Sequence, residues 1–335
     1  MSLTINTNIS SLIAQRSLNN ATNSLNLSME RLTTGYKINH ASDNAAGYSI
    51  SKMWVTQLGS LDIVSDNAAT GADMLTTAED TYGLLTSHLQ RVRDLTEQAA
   101  NGTYGSQSLK AIQSEIAARL EEVNRISANA EFNGIKLMAY TQNGDGSGIT
   151  SAGLNLQVGL YANADSRINL AVDLFKNASI SGLFKGYLTS PTSESGKTLT
   201  QLVNGAGGTA SSLNTSIEAF AAACSGLKYD SATNTFTLQS DADLQAKEML
   251  SFLDLAINGI SDRVTKIGAA QNRITSAISA LDVQSQNLTS SLSTLRDTDV
   301  AQESSNFIQA QILQQASATL LATANQLPSV AINLI

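Results

Sequence analysis

Gln302-Glu-Ser-Ser-Asn-Phe-Ile-Gln-Ala-Gln-Ile-Leu-Gln-Gln-Ala-Ser-Ala-Thr-Leu-Leu-Ala-Thr-Ala-Asn-Gln-Leu-Pro-Ser-Val-Ala-Ile-Asn-Leu-Ile335 closes the chain and holds no charged side chain after Glu303. Leu313, Leu320 and Leu327 recur every seven residues, with Ala316 and Ala324 near the same face, so a helix here presents a narrow apolar seam suited to a partner helix. The other face carries Gln309, Gln311, Gln314, Gln315 and Asn325. Neutral amides of this kind can be covered by protein without the desolvation cost of Lys or Glu. Spanning a bilayer takes about 20 predominantly apolar residues, and amides and hydroxyls interrupt this tract too often for that. The pattern predicts a helix surrounded by protein, with copies of itself as the cover.

The opposite end repeats the pattern. Leu18, Leu25 and Leu32 are again seven apart, and Arg16 is the only charge between Ile9 and Glu30. Two neutral heptad segments at the two ends of one chain can bury each other's seams in a coiled coil. Leu18, Leu25, Leu32, Leu313, Leu320 and Leu327 are therefore the expected assembly core.

Working inward, Thr33-Thr-Gly-Tyr-Lys-Ile-Asn-His-Ala-Ser is a break, after which Ser42 or Asp43 can cap a new helix. Helical periodicity runs from about Asp43 to about Ala100, turns at Asn101-Gly-Thr-Tyr-Gly and resumes through Leu109, Ile112, Ile116, Leu120, Val123 and Ile126. Between Leu154 and Phe175 the period drops to two on either side of Asn163-Ala-Asp-Ser, which reads as a β-hairpin. Gly, Ser and Thr dominate from Ala178 to about Ser240, with a strand candidate at Thr235-Phe-Thr-Leu. Ile267, Ile274, Leu281, Leu288 and Leu295 then restore a strict heptad before Arg296-Asp-Thr-Asp breaks it.

The expected fold is mainly α: a long helical rod with terminal coiled-coil helices, a β-hairpin region and a small α+β outer insert. The expected division is 1–42 with 298–335 for the terminal core, 43–178 with 245–297 for the rod, and 179–244 for an independently folded, exposed insert.

Composition narrows the function classes. Charged residues are 14% of 335, against about 25% in ordinary globular proteins. Net charge is −8 and no Lys/Arg block exists, which argues against nucleic acid and gives no support for an anionic membrane. Cys224 is the only cysteine, so intrachain disulfides and Cys-based metal clusters are excluded. His40 and His88 lie far apart and neither belongs to a His-Glu-x-x-His motif. They read as a turn residue and a helix-surface residue, and no enzyme, metal or organic cofactor is expected. The start, Met1-Ser-Leu-Thr-Ile, lacks the basic and apolar regions of a cleavable signal, so a secreted chain of this type is expected to leave by another route.

Several motifs in order resemble bacterial flagellins. Ile5-Asn-Thr-Asn-Ile, Glu30-Arg-Leu-Thr-Thr-Gly-Tyr-Lys-Ile-Asn and Asp43-Asn-Ala-Ala-Gly are similar to the family's N-terminal signature. Gly268-Ala-Ala-Gln-Asn-Arg-Ile, Asp299-Val-Ala-Gln-Glu-Ser-Ser-Asn and Ala310-Gln-Ile-Leu-Gln-Gln-Ala are similar to its C-terminal one. The resemblance implies a self-assembling subunit of the extracellular flagellar filament, exported unfolded by the type III apparatus. It also implies a filament cap, hook-associated proteins and an export chaperone as partners. The hook-filament junction adaptor is the related alternative. By the same resemblance, Leu89-Gln-Arg-Val-Arg-Asp-Leu looks like the surface read by the animal toll-like flagellin receptor, with Leu89, Arg91, Leu95 and Glu115 as contacts. Ser and Thr residues of the insert could carry O-linked glycans.

Overall fold

In the computed structural model the described residues are 8–138, 153–184, 199–205, 217–230, 235–238 and 242–333. They form eight α-helices: α1 (Ile9–Thr34), α2 (Ala45–Ala99), α3 (Ser106–Asn129), α4 (Ile180–Phe184), α5 (Leu199–Gly205), α6 (Ile217–Ser225), α7 (Ala242–Arg296) and α8 (Val300–Asn333). Three two-stranded antiparallel ladders accompany them: β1 (Glu131–Phe132) with β2 (Ile135–Lys136), β3 (Leu154–Gln157) with β4 (Arg167–Leu170), and β5 (Leu227–Asp230) with β6 (Thr235–Leu238). The chain divides into two compact units, residues 1–62 with 282–335 and residues 63–281.

In the first unit α1 and α8 lie side by side and antiparallel. Asn8 Nδ2 donates to the Ala324 carbonyl (2.7 Å), Gln314 Nε2 to Thr22 Oγ1 (3.2 Å), and Arg31 faces Glu303. Each helix has a built start. Asn8 Oδ1 accepts from Ser11 N (3.0 Å) at the head of α1, and Asp299 Oδ1 accepts from Ala301 N and Gln302 N at the head of α8. Gly35, at φ 75°, ends α1 in the left-handed conformation that a side chain resists.

Both breaks in helical periodicity come together. Thr298 N donates to the Gly35 carbonyl (2.9 Å), Lys37 N to the Arg296 carbonyl (2.7 Å), and the Arg296 guanidinium sits 3.8 Å from the Tyr36 ring centre. The cap expected at Ser42 or Asp43 falls one residue later, because Asn44 Oδ1 accepts from Gly47 N (2.9 Å). Asp43 instead accepts from the backbone N–H groups of His40 and Asn39, which hold its carboxyl below the ordinary carboxylate range.

In the second unit α2, α3 and α7 share a core through Leu75, Leu85, Leu89, Ile116, Leu120 and Phe252. Tyr82 is fully buried and its hydroxyl donates to the Leu174 carbonyl at 2.9 Å. The hairpin expected across 154–175 is shorter than its sequence pattern. Its strands pair only from Leu154↔Leu170 to Gln157↔Arg167, because Val172–Phe175 turns into a 3₁₀ helix that drops Leu174 and Phe175 into the core. The β1–β2 turn, absent from the expected elements, has Asn133 and Gly134 at φ 49° and 79°, the paired left-handed residues of a tight Asn-Gly hairpin.

The expectation of an independently folded insert at 179–244 needs correction for its described residues. Every side chain of α6 except Glu218 is buried, and α6 packs on α3. The Phe184 and Phe220 rings meet at 4.9 Å between centres, tilted 50° to each other, inside the same cluster as Leu89 and Leu120. Continuous apolar runs such as Ala219-Phe-Ala-Ala-Ala-Cys need cover on every side, and the rod helices supply it.

Candidate assembly surface

The α1–α8 pair is the candidate site, and its inner face is not the one expected. Its buried positions are Ala14, Ala21 and Ser28 on α1 and Glu303, Ala310, Ser317 and Ala324 on α8, each series with a seven-residue spacing. Small residues at the contact let two helix axes approach to the short end of the usual range of about 8–10 Å. The leucine heptads flank this line. Leu18, Leu25 and Leu32 are half-buried, while Leu313 and Leu320 stay 50% and 62% exposed. Leu327 lies in α8 beyond Gln326, the last residue of that helix whose side chain is described. The expectation that the leucines zip the two ends together is thus corrected. Large side chains at the centre would hold the helices too far apart for Ala14 and Ala21 to touch α8.

Ile9, Leu12 and Ile13 on α1, and Ile308 and Ile312 on α8, are more than half exposed as well. Along one side of the pair Ile13, Ala14, Leu313, Ala316 and Leu320 line an apolar groove of ≈ 860 Å³. Next to it Asn20, Ser24, Ser28, Arg31, Glu303 and Asn306 line a polar hollow of ≈ 550 Å³.

The four residues expected to meet a receptor do not share one surface. Leu89 and Leu95 are 0% and 2% exposed and belong to the core of the second unit, so neither can touch another molecule without opening that core. Arg91 and Glu115 are outside and paired with each other, Nη2 to Oε1 at 2.9 Å. The period-3.6 pattern around Leu89 already separates these two faces; a motif match does not.

The histidines sit apart. His40 Nε2 lies 2.8 Å from Glu30 Oε1 beside the joint, and His88 is half-buried on α2. Cys224 is fully buried, and burial pushes its thiol up to about 12, with the Thr96 hydroxyl pulling weakly the other way. Among the described residues no group of three His, Cys, Asp or Glu could hold a metal ion, and no helix is long and apolar enough to cross a membrane.

Two terminal helices that meet through small neutral residues and leave their large apolar side chains bare define a self-associating helical protein. The family model for the bacterial flagellin N-terminal helical region matches residues 5–143, and that for the C-terminal helical region matches residues 250–335. The chain is 33% identical over 378 residues to flagellin B of Vibrio cholerae and 33% identical over 379 residues to polar flagellin F of Vibrio parahaemolyticus, with 100% of each chain covered. Among solved structures, Bacillus cereus flagellin is 19% identical with a TM-score of 0.40, covering 64% of this chain and 88% of its own. FliC from Burkholderia pseudomallei is 20% identical with a TM-score of 0.38, covering 61% and 99%. The chain belongs to the bacterial flagellin family.

Proposed function

We propose that this chain is a structural subunit of the extracellular flagellar filament and that it polymerises by covering the apolar flank of its α1–α8 pair with the same pair from neighbouring copies. The observation that carries this reading is the exposure of Leu313, Leu320, Ile308, Ile312 and Ile13 on helices that hold almost no charge. Burying a Leu or Ile side chain releases about 1.5–3 kcal/mol. Neutral Gln, Asn and Ser residues between them can pair across the interface at little desolvation cost. On this reading Leu18, Leu25, Leu32, Leu313, Leu320 and Leu327 bind between subunits rather than within one.

Before assembly the same flank needs a cover, so an export chaperone holding α8 is the partner this chemistry calls for. A chain with a single cysteine forms no intrachain disulfide and stays threadable for type III export. The cap and hook-associated proteins meet the same terminal helices at the filament ends. Any receptor contact on the second unit falls on Arg91, Glu115 and their exposed neighbours.

The test is seeded elongation. Purified full-length chain added to sonicated filament fragments of itself lengthens them, and a chain lacking residues 1–34 does not. Elongation at an equal rate by the truncated chain would overturn the reading; failure of the full chain to elongate would favour an adaptor at the hook-filament junction.

A further inference from the structure

We propose that Asn101 is a site of spontaneous covalent modification: its side chain closes onto the Gly102 nitrogen, ammonia leaves, and water opens the ring to isoaspartate or aspartate in the turn between α2 and α3. The proposal is independent of the filament reading.

Asparagine before glycine is the pair best suited to this chemistry, because no Cβ hinders approach to the glycine nitrogen and the glycine backbone turns easily. The sequence holds five such pairs, at 101–102, 133–134, 143–144, 204–205 and 258–259. Asn143-Gly144 lies outside the described residues. The other four differ in how firmly their backbone is held. Asn204-Gly205 belongs to α5 and Asn258-Gly259 to α7. Within a helix the glycine N–H is engaged with the carbonyl four residues back, so ring closure waits for local opening. Asn133-Gly134 is the turn of the β1–β2 hairpin, closed by the pairs Phe132↔Ile135 and Glu131↔Lys136. Turning the peptide between them takes both residues out of the left-handed geometry that such a hairpin uses.

Asn101 is held least. α2 ends at Ala99 and α3 begins at Ser106, so neither helix claims it. Its N–H reaches the Gln98 carbonyl at 3.2 Å and its carbonyl accepts from Tyr104 N at 3.4 Å, at and beyond the long end of the ordinary range of about 2.7–3.2 Å. Asn101 and Gly102 are both exposed, and the Gly102 N–H donates to no backbone carbonyl among the described residues.

The Gly102 nitrogen gives its proton to hydroxide from solvent and attacks Cγ of Asn101. A Gly102 N–Cγ bond forms, the Cγ–Nδ2 bond breaks, and Nδ2 leaves as ammonia after taking a proton from water. Water then hydrolyses the five-membered imide, its hydroxyl adding to one carbonyl and a proton returning to the nitrogen. Opening at the backbone carbonyl routes the main chain through Cγ and gives isoaspartate; opening at Cγ gives aspartate. Either product sets a carboxylate just past the C-terminal end of α2, where the helix dipole disfavours it and the last turn has no basic residue to offset it.

The experiment incubates the full-length chain in mildly alkaline buffer, digests it in acid, follows each Asn-Gly peptide by mass, and detects isoaspartate with an isoaspartyl O-methyltransferase and labelled S-adenosylmethionine. Conversion at Asn101 is expected to run at least about tenfold ahead of Asn133 and Asn258, which wait on local opening, and the lead should vanish in urea. Gly102→Ala, whose added Cβ meets nothing within 4 Å, should slow Asn101 alone. The parent chain decides by itself whatever the variant does to folding. Equal rates at Asn101 and Asn258 in the folded chain overturn the proposal, as does conversion of Asn101 without isoaspartate, a lead that survives in urea, or an undiminished rate in a folded Gly102→Ala chain.

Discussion

Replacing Leu313 and Leu320 together by Gln separates assembly from folding. Gln has a helix propensity close to that of Leu, so α8 itself is not weakened. In the single chain Leu313 and Leu320 are 50% and 62% exposed, so roughly half of each side chain remains to be covered by a neighbour. With about 1.5–3 kcal/mol for a fully buried Leu, the two forfeit about 2–3 kcal/mol for each subunit added. Every 1.4 kcal/mol is a factor of ten, so the free chain concentration in equilibrium with filament rises about 30- to 100-fold. Sedimentation of seeded filaments at equilibrium, with the supernatant quantified, measures it. Thermal unfolding of the unassembled variant should match the parent, because neither leucine belongs to the core of the second unit. A rise below about threefold, or a shifted melting curve, would refute the reasoning.

Other outcomes follow from single contacts. Tyr82→Phe removes the donor from the buried Leu174 carbonyl and should destabilise the second unit by about 1–3 kcal/mol, read as a lower urea midpoint. Gly153 has φ 75°, and a Cβ there would collide with the Leu170 carbonyl oxygen, so Gly153→Ala should cost about 1–3 kcal/mol and loosen the β3–β4 hairpin, visible as faster amide exchange at Leu154 and Leu156. Cys224 titrates at about 12 when folded against an ordinary 9.0. The unfolded chain therefore loses its thiol proton first, so the stability this group contributes is complete below pH 9 and is lost between pH 9 and about 12; Cys224→Ala should flatten that alkaline slope in chemical unfolding. Maleimide should label Cys224 only after denaturation. In the unassembled chain, amides of α1 and α8 should exchange far faster than those around Leu85 and Leu120, and the difference should vanish in filament.

Much of the architecture was legible because its signals are periodic. The heptad from Ile267 to Leu295 and the apolar runs around Leu75 and Leu120 repeat often enough to fix helices α2, α3 and α7 nearly to their ends. The insert was misjudged because Gly, Ser and Thr content carries no information on burial, whereas burial of Phe184, Phe220 and Cys224 depends on surfaces supplied from elsewhere in the chain. Leu89 and Leu95 were misassigned for the opposite reason: a motif match carried more weight than their own helical spacing, which already placed them inside.

The terminal pair shows why hydrophobicity alone picked the wrong seam. Leucines dominate a hydrophobic pattern, so a reader looking for the strongest heptad finds Leu18, Leu25 and Leu32 and passes over Ala14, Ala21 and Ser28, which keep the same period. Inside one chain the small series wins, because helices touching through alanine come close enough for their backbones to pack. That contact buries little apolar surface: each Ala methyl contributes about 0.8 kcal/mol, against a cost of about 1–2 kcal/mol for ordering each residue's backbone. The small-residue contact therefore does not offset the ordering of the pair while alone, and the larger gain waits on its flanks. If the chain is exported unfolded, as the proposed function has it, its ends need to stay easy to unfold until other subunits arrive. Separating the close-contact series from the leucine series along the same two helices meets both demands.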